Sequence, residues 1–274
     1  RDYGISGQIG LERNLQEYLD KLLAVTAECK RVLKPEGTMF WNHGDSYGGS
    51  GMGAGTKIKK ESFSHAVRPK TEKGRSKSLM AQNYRLAIRM EDEQGWYWPN
   101  TIIWHKPNAM PSSVKDRFSV DYEPMFFFTK SEKHYFEQQF EPANVRENEY
   151  RRTLRRKNAE HYNLKTPYRG NFPKSTGDPT RRNMRSVWRI STKSYTGPHS
   201  AVFPPDLIIT PIRAGCPRGG IVLDPFMGSG TTALVAKMLG RNYIGIEINP
   251  KDIKTAEDRL RQEILFYYEN RTKT

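Results

Sequence analysis

The order of apolar and polar positions predicts a chain of alternating helices and strands. Apolar residues recur at helical spacing over Leu11–Val32 and Leu79–Glu93, so each segment is predicted to form an amphipathic helix. Short apolar runs predict strands at Thr38–Trp41, Tyr97–His105 and Glu123–Thr129. The unbroken apolar run inside the last strand predicts that it is buried on both faces.

The last third of the chain continues this alternation. The predicted elements are a helix around Ile208–Ile212, a strand at Ile221–Leu223, a helix from Thr231, a strand at Tyr243–Ile248 and a closing helix over Asp252–Tyr268. Strands that alternate with helices are typical of α/β proteins with right-handed crossovers. We therefore predict a doubly wound, mostly parallel α/β sheet.

A glycine hairpin follows the strand that ends at Leu223. Gly228 and Gly230 lie between this strand and the helix that begins at Thr231. Glycine adopts positive φ and lets a ligand approach the backbone, which a Cβ would block. Glu247 closes the next predicted strand, where a carboxylate can accept hydrogen bonds from ribose hydroxyls. The arrangement predicts a nucleoside site.

The residues of the hairpin favour a cationic nucleoside over a phosphate. The segment matches neither G-x-G-x-x-G nor the P-loop pattern, and no lysine follows Gly230 within the hairpin. Asp224 at the strand end would repel a pyrophosphate but attract a ligand with positive charge. S-adenosylmethionine carries a sulfonium and an ammonium group and no phosphate. The alternative is a hairpin with no ligand.

The motifs resemble those of a known enzyme family. Asp224–Thr232 followed by Tyr243–Ile248 resembles the cofactor motifs of DNA amino-methyltransferases, which methylate N4 of cytosine or N6 of adenine. Pro198–Pro204 is similar to the motif that precedes this loop in the permuted beta group. The other segments that match are Val32–Thr38, Asn42–Tyr47, Ile102–Asn108, Met110–Pro111 and Asp116–Arg117. The resemblance covers most of residues 1–136 and 185–262 and implies a Rossmann-like methyltransferase sheet with a small basic recognition insert.

The resemblance also implies roles for individual residues. His199, Ser200 and Phe203 are expected to approach the cofactor from the preceding loop. Tyr3, Asp45 and Ser46 are expected near the target base, although a simple turn role is open for Asp45 and Ser46. The expected cofactor contacts in the hairpin and at the end of the next strand are Asp224, Pro225, Phe226, Gly228, Ser229, Gly230, Thr231, Glu247 and Ile248.

The family's catalytic tetrapeptide, Ser/Asn/Asp-Pro-Pro-Tyr/Phe, is not found in this sequence. The only Pro-Pro pair, Pro204–Pro205, belongs to another motif. A segment like Arg1–Gly4 follows the tetrapeptide in the family, so we expect the tetrapeptide just before Arg1 in the natural protein. The chain as printed therefore leaves two classes open, a site-specific methyltransferase and a cofactor- and DNA-binding protein without activity. An RNA or small-molecule methyltransferase is a third functional class. The Arg1–Gly4 segment resembles that of family members with a serine tetrapeptide, which favours N4 of cytosine as the target over N6 of adenine.

Positive charge is concentrated in two windows. The net charge is +15. Val145–Tyr195 holds 14 basic and 4 acidic residues, and Gly48–Ser78 holds 8 and 2. An ordinary solvent-exposed surface mixes basic and acidic residues, whereas these two windows contain few acidic ones. They therefore predict a polyanionic partner, double-stranded DNA. The expected DNA contacts are Arg151, Arg152, Arg155, Arg156, Arg181, Arg182 and Arg185.

Together these features predict a domain organisation and a set of partners. Residues 1–136 and 195–274 are expected to form the two halves of one methyltransferase domain, with target recognition in residues 137–194. A cognate restriction endonuclease and a homodimer are further partners that the resemblance allows.

The remaining composition indicates the cellular compartment of the protein and argues against a membrane span and a metal site. No apolar run approaches the ~20 residues of a membrane span. Two cysteines, Cys29 and Cys216, indicate a reducing compartment, here the cytoplasm of a prokaryotic or viral host cell. No His/Cys cluster has zinc spacing, so no metal is predicted.

Overall fold

A computed structural model describes residues 4–48, 77–143, 181–192 and 203–271, with side chains up to residue 261. The chain divides into two compact units. The first contains Arg1–Glu137 and Ser186–Thr274, and the second contains Gln138–Arg185.

The first unit contains five helices and six strands among its described residues. The helices are α1 (Leu15–Val32), α2 (Gln82–Gln94), α3 (Pro205–Gly215), α4 (Thr231–Met238) and α5 (Pro250–Arg271). The strands are β1 (Thr38–Asn42), β2 (Tyr97–His105), β3 (Tyr122–Thr129), β6 (Val187–Arg189), β7 (Ile221–Asp224) and β8 (Asn242–Gly245). In the second unit, β4 (Phe140–Pro142) pairs antiparallel with β5 (Arg181–Asn183).

The sheet is mixed, and the prediction of a mostly parallel sheet is wrong for its four-stranded part. The strand order is β1-β3-β2-β6, with β3 antiparallel to both β1 and β2, and β6 parallel to β2. The reason is that β3 follows β2 through a loop without a crossover helix, so the chain returns in the opposite direction. β7 and β8 form a separate parallel pair with α4 between them.

The main core lies between the four-stranded sheet and helices α1 and α2. Phe126 and Phe128 of β3 face these helices, and the buried side chains that meet them are Leu19, Leu22, Leu23, Leu86, Ala87, Met90 and Trp96. Phe127 faces the other side and stacks on Phe40 of β1 with 4.7 Å between ring centroids. The predicted burial of this strand on both faces is confirmed.

The loops after β1, β2 and β7 meet at one edge of the first unit. Asn42 at the end of β1 pairs with Met125 near the start of β3, and His105 at the end of β2 pairs with Tyr122. The ring of Phe226, two residues after β7, lies 6.0 Å from that of Trp41 in β1. This edge, here called the loop edge, carries the predicted site.

Two predicted boundaries shift in ways that matter for the site. The strand predicted over Tyr243–Ile248 ends at Gly245, so Glu247 lies in the turn after β8. The helix predicted from Leu79 begins at Gln82. No helix among the described residues combines the length and apolar character that crossing a membrane requires.

Candidate functional site

The glycine hairpin is folded around the Asp224 carboxylate. One oxygen accepts a hydrogen bond from the Phe226 N–H at 2.9 Å, and the other accepts from the Thr232 hydroxyl in the first turn of α4. Gly228 and Gly230 have φ values of +52° and +81°, which favour glycine. Burial raises the pKa of Asp224, and the negative charge of Glu247 adds to this effect.

Glu247 ties the turn after β8 to the same hairpin. Its Oε2 accepts from the Gly228 N–H at 2.8 Å, and its Oε1 accepts from the Asn249 N–H at 2.8 Å. Each carboxylate oxygen has a second lone pair for another donor. The hydrogen bond across the 19 positions from Gly228 to Glu247 brings together the two motifs that sequence spacing linked.

The side chains of Ser229 and Thr231, predicted to contact the cofactor, form hydrogen bonds with another part of the protein. Both side chains are buried, and Arg259 of α5 donates to the Ser229 hydroxyl at 3.3 Å and to the Thr231 hydroxyl at 2.9 Å. The contacts lock the hairpin to α5. Arg259 is a functional candidate that sequence reasoning missed, because an arginine on the polar face of a helix carries no local signal of this contact.

Apolar side chains flank the two carboxylates. Phe226 and Ile248 are exposed beside the hairpin, and Pro225 is half-buried. Phe203, two residues before α3, is half-buried, and its approach to the cofactor stays a prediction. A cleft of about 440 Å³ adjoins Gly228 and Glu247 and continues between β8 and α5.

The chemistry of these groups fits S-adenosylmethionine. The hairpin offers two carboxylates, backbone N–H groups and apolar surface, and residues 224–232 contain no lysine or arginine. Positively charged sulfonium and ammonium groups match such a site, whereas the hairpin itself offers a phosphate no cationic side chain, and the nearby Arg259 guanidinium bonds to Ser229 and Thr231. When bound, this cofactor supplies an electrophilic methyl group.

Asp45 has a structural role in the loop after β1. Its carboxylate accepts from the N–H groups of Ala81 at 2.9 Å and Gln82 at 3.2 Å. Asp45 so caps α2, whose own N-cap residue, Ala81, makes no side-chain hydrogen bond. The Ser46 hydroxyl lies 3.4 Å from Oε1 of Gln82. These contacts support the turn role, and a role in the base pocket stays a prediction.

His43, which sequence reasoning did not select, lies half-buried at the loop edge. Its Nε2 is 2.9 Å from the Tyr18 hydroxyl. Desolvation lowers the pKa of His43 to about 4, although the nearby charges of Asp45 and Glu123 oppose this shift. The imidazole is therefore neutral at pH 7.

We expect His43 to reduce stability in acid. The unfolded chain binds a proton near pH 6.5, whereas the folded chain stays neutral to about pH 4, so stability falls as pH drops through this window. The loss reaches about 3 kcal/mol. Urea unfolding of wild type and His43→Gln from pH 7 to pH 4 measures it. The variant keeps a polar partner for Tyr18 and should show a shallower decline; parallel curves would contradict the shift.

In the second unit, arginines of the predicted DNA set pair with local groups. The Nε groups of Arg182 and Arg185 lie 2.7 and 2.6 Å from the same Glu141 oxygen. Arg181 lies over the Phe140 ring at 4.7 Å. These contacts fix the side chains and offset part of their charge. Other predicted site residues lie outside the described part of the chain, namely Tyr3, Arg151, Arg152, Arg155, Arg156, His199 and Ser200.

The described residues contain no group of three or more His, Cys, Asp or Glu that could hold a metal ion.

A family profile described as DNA methylase, for N6 and N4 methyltransferases, matches residues 2–258. The chain belongs to this DNA methylase family. The "Type II methyltransferase M.XycI" of Xanthomonas campestris pv. cyanopsidis is 41% identical to this DNA methylase over 264 residues, covering 95% of the chain and 77% of the relative. The "Type II methyltransferase M.Cfr9I" of Citrobacter freundii is 40% identical over 265 residues, covering 96% and 78%.

A solved structure shares the fold of this DNA methylase. The PvuII DNA methyltransferase (cytosine-N4-specific) aligns with a TM-score of 0.58 at 20% identity, covering 89% of this chain and 70% of that one. Family membership confirms the predicted class, an S-adenosylmethionine-dependent DNA amino-methyltransferase. The α/β fold class is confirmed, with the mixed sheet described above.

Proposed function

We propose that this DNA methylase modifies one short sequence in double-stranded DNA, transferring a methyl group from S-adenosylmethionine to an exocyclic base amine. The observation that carries the proposal is the hydrogen bond between Gly228 and Glu247, which joins the glycine hairpin to the turn after β8. This contact holds the Glu247 carboxylate against the hairpin, whose other carboxylate, Asp224, accepts from the Phe226 N–H. We propose that Glu247 takes the ribose hydroxyls and that Ile248 packs on the adenine.

The negative charge of the site orients the reacting group. The negative charge of Glu247 contributes to the raised pKa of Asp224, so the two carboxylates lie near each other and give the hairpin a negative field that attracts the methionine end of the cofactor. An exocyclic amine is a weak nucleophile because its lone pair is delocalised into the ring. Holding the cofactor and the amine in line therefore supplies much of the rate. Inside a duplex the amine is stacked, so the target base is flipped into the site at a cost of a few kcal/mol.

The target base we favour is cytosine, methylated at N4, over adenine at N6. The support is the likeness of Arg1–Gly4 to family members with a serine tetrapeptide. Methylation-aware sequencing that distinguishes N4-methylcytosine from N6-methyladenine tests this preference directly.

Target recognition is assigned to residues 137–194, which include the compact unit Gln138–Arg185. Arg181, Arg182 and Arg185 are held by Phe140 and Glu141, and such preorganised guanidinium groups suit phosphate contacts. The relatives' naming as Type II methyltransferases supports a cognate restriction endonuclease as a functional partner.

Methylation-aware sequencing tests the proposed function. The complete gene is expressed in a bacterial host without DNA methyltransferases, next to an empty vector and a Glu247→Ala variant. We expect one short motif to carry a methyl group at cytosine N4 or adenine N6 only with the wild-type gene. Purified protein that binds DNA and cofactor but leaves genomic DNA unmodified would support the binding protein without activity and contradict our proposal.

A further inference from the structure

The loop between β2 and β3, residues 106–121, presents two apolar side chains to solvent. Phe118 is 97% exposed and Met110 is 89% exposed. Among the described residues, the next most exposed large apolar side chain is Met238 at 64%. Single exposed apolar residues are common on protein surfaces, but an aromatic ring with almost no protein contact leaves its full apolar area in water. Neither the core nor the cofactor site accounts for these two side chains.

The loop is anchored at its base, so these side chains are presented on a held segment. The Lys106 N–H donates to the Asp121 carbonyl at 2.7 Å, which closes the loop. The Asn108 side chain exchanges two hydrogen bonds of 2.9 Å with the backbone of Thr192, which follows β6. These contacts hold the loop to the end of the sheet and leave its apolar tips free.

The neighbours of Phe118 connect it to the rest of the loop edge. The Arg117 guanidinium lies 4.1 Å from the ring centroid of Tyr47, in the loop after β1 that also contains Asp45. Lys77 pairs with Asp116 at 2.7 Å. Phe118 therefore belongs to the same edge as the glycine hairpin, because the loops after β1, β2 and β7 all meet there.

The charge beside Phe118 suits a polyanion. The one acid among its immediate predecessors, Asp116, is offset by Lys77 and lies 3.4 Å from Arg117, while Lys115 extends an exposed cation next to it. An apolar tip next to cations matches a DNA duplex, since the cations meet phosphates and the ring meets the base stack. A second copy of this chain would place these cations against like charges.

We propose that Phe118 is a wedge that enters the base stack of the DNA when the target base leaves it, with Met110 supporting it from the same loop. The inference rests on the proposed function, since a gap in the stack arises only if the target base is extruded. Stacking of an aromatic ring on the neighbouring bases offsets part of the cost of extrusion. Phe118 is thus a positioning residue that touches neither the cofactor nor the transferred methyl group.

The test compares a paired target base with an unpaired one. Single-turnover methylation by wild type and Phe118→Ala is measured on a duplex carrying the recognised sequence and on the same duplex with an abasic site opposite the target base. We expect a loss of about tenfold or more on the paired duplex, and recovery to within about threefold of wild type on the duplex with the abasic site, because extrusion of an unpaired base costs least. Phe118→Trp should retain the wild-type rate on both.

Met238→Ala is the matched control. Met238 ends α4 at the opposite edge, where the following turn pairs with the residues that precede β7. This variant should behave as wild type on both duplexes. Fluorescence of 2-aminopurine at the target position reads extrusion without methyl transfer, and Phe118→Ala should reduce the increase that wild type gives.

Three results would overturn the wedge. Equal losses on the two duplexes would assign Phe118 to general DNA contact or folding. An unchanged rate together with an unchanged 2-aminopurine signal would remove it from the mechanism. A shift in sedimentation coefficient of the free variant without any differential effect on the two duplexes would assign the loop to self-association. Failure of the proposed function looks different, because wild type itself would then leave both duplexes unmethylated.

Discussion

Asp224→Ala abolishes measurable binding of S-adenosylmethionine, which is the largest effect we expect of a single substitution. The substitution removes two hydrogen bonds at once, those from the Phe226 N–H and the Thr232 hydroxyl, and it removes a negative charge from behind the hairpin. Hydrogen bonds to charged groups contribute about 1.5–3 kcal/mol each to the conformation of the hairpin. Because cofactor binding must then order the hairpin without the attracting charge, affinity should fall by about two orders of magnitude or more. Isothermal titration calorimetry measures the loss, and DNA affinity should be largely retained.

Two companion variants separate the charge of Asp224 from its structural role. Asp224→Asn keeps an acceptor for the Phe226 N–H but carries no charge, so a strong loss in this variant assigns the effect to electrostatics. Asp258→Ala on α5 is the control, since its carboxylate contacts only an exposed arginine 3.8 Å away among the described residues. A titration heat for Asp224→Ala equal to that of wild type would remove Asp224 from the cofactor site.

The raised pKa of Asp224 gives this prediction a pH signature. Because burial raises the pKa of the carboxyl group, it takes up a proton at a higher pH than an exposed aspartate does. A cationic ligand binds the ionised form, so affinity should decline as pH falls through the raised pKa, and binding in that range should release a proton. Titrations in buffers of different ionisation enthalpy detect the proton. Asp224→Asn should lose this pH dependence.

The cofactor half of the molecule was predictable from sequence because its signals are local. A strand, a glycine turn and a helix start occupy consecutive positions, and their spacing to Glu247 places the next carboxylate. The structure adds that Glu247 bonds to Gly228, which the spacing made possible but did not require. Ser229 and Thr231 show the limit of the same reasoning, because the direction of their side chains depends on Arg259 in a distant helix.

The direction of strand pairing was not predictable in the same way. The apolar run of β3 indicates burial on both faces, and both a parallel central strand and an antiparallel one satisfy that condition. The capping of α2 by Asp45 joins residues separated by 36 positions in sequence, so no local pattern signals it. Long-range contacts of this kind decided the points on which the sequence predictions were wrong or open.

Gly230→Ala should destabilise the fold and weaken cofactor binding, and a second glycine gives a matched control. Gly230 and Gly240 both have left-handed φ values, +81° and +72°, so alanine pays about 1–2 kcal/mol at either position. A Cβ on Gly230 would also lie 2.8 Å from Cβ and 3.2 Å from Cα of Ala256 in α5, whereas a Cβ on Gly240 would meet no atom within 4 Å. Overpacking of this kind adds about 1–3 kcal/mol.

Chemical denaturation of the two variants therefore separates backbone strain from packing. Gly240→Ala should be destabilised only by the backbone strain and should keep wild-type affinity for S-adenosylmethionine. Gly230→Ala should be destabilised by both the backbone strain and the overpacking. It should also bind the cofactor weakly, because α5 must move away from the hairpin that it holds through Arg259. Ala256→Gly in the Gly230→Ala background should restore part of the loss, which a double-mutant cycle reports as a coupling energy. Equal stabilities for the two alanine variants would show that α5 does not press on the hairpin, and the link between α5 and the cofactor site would then fail.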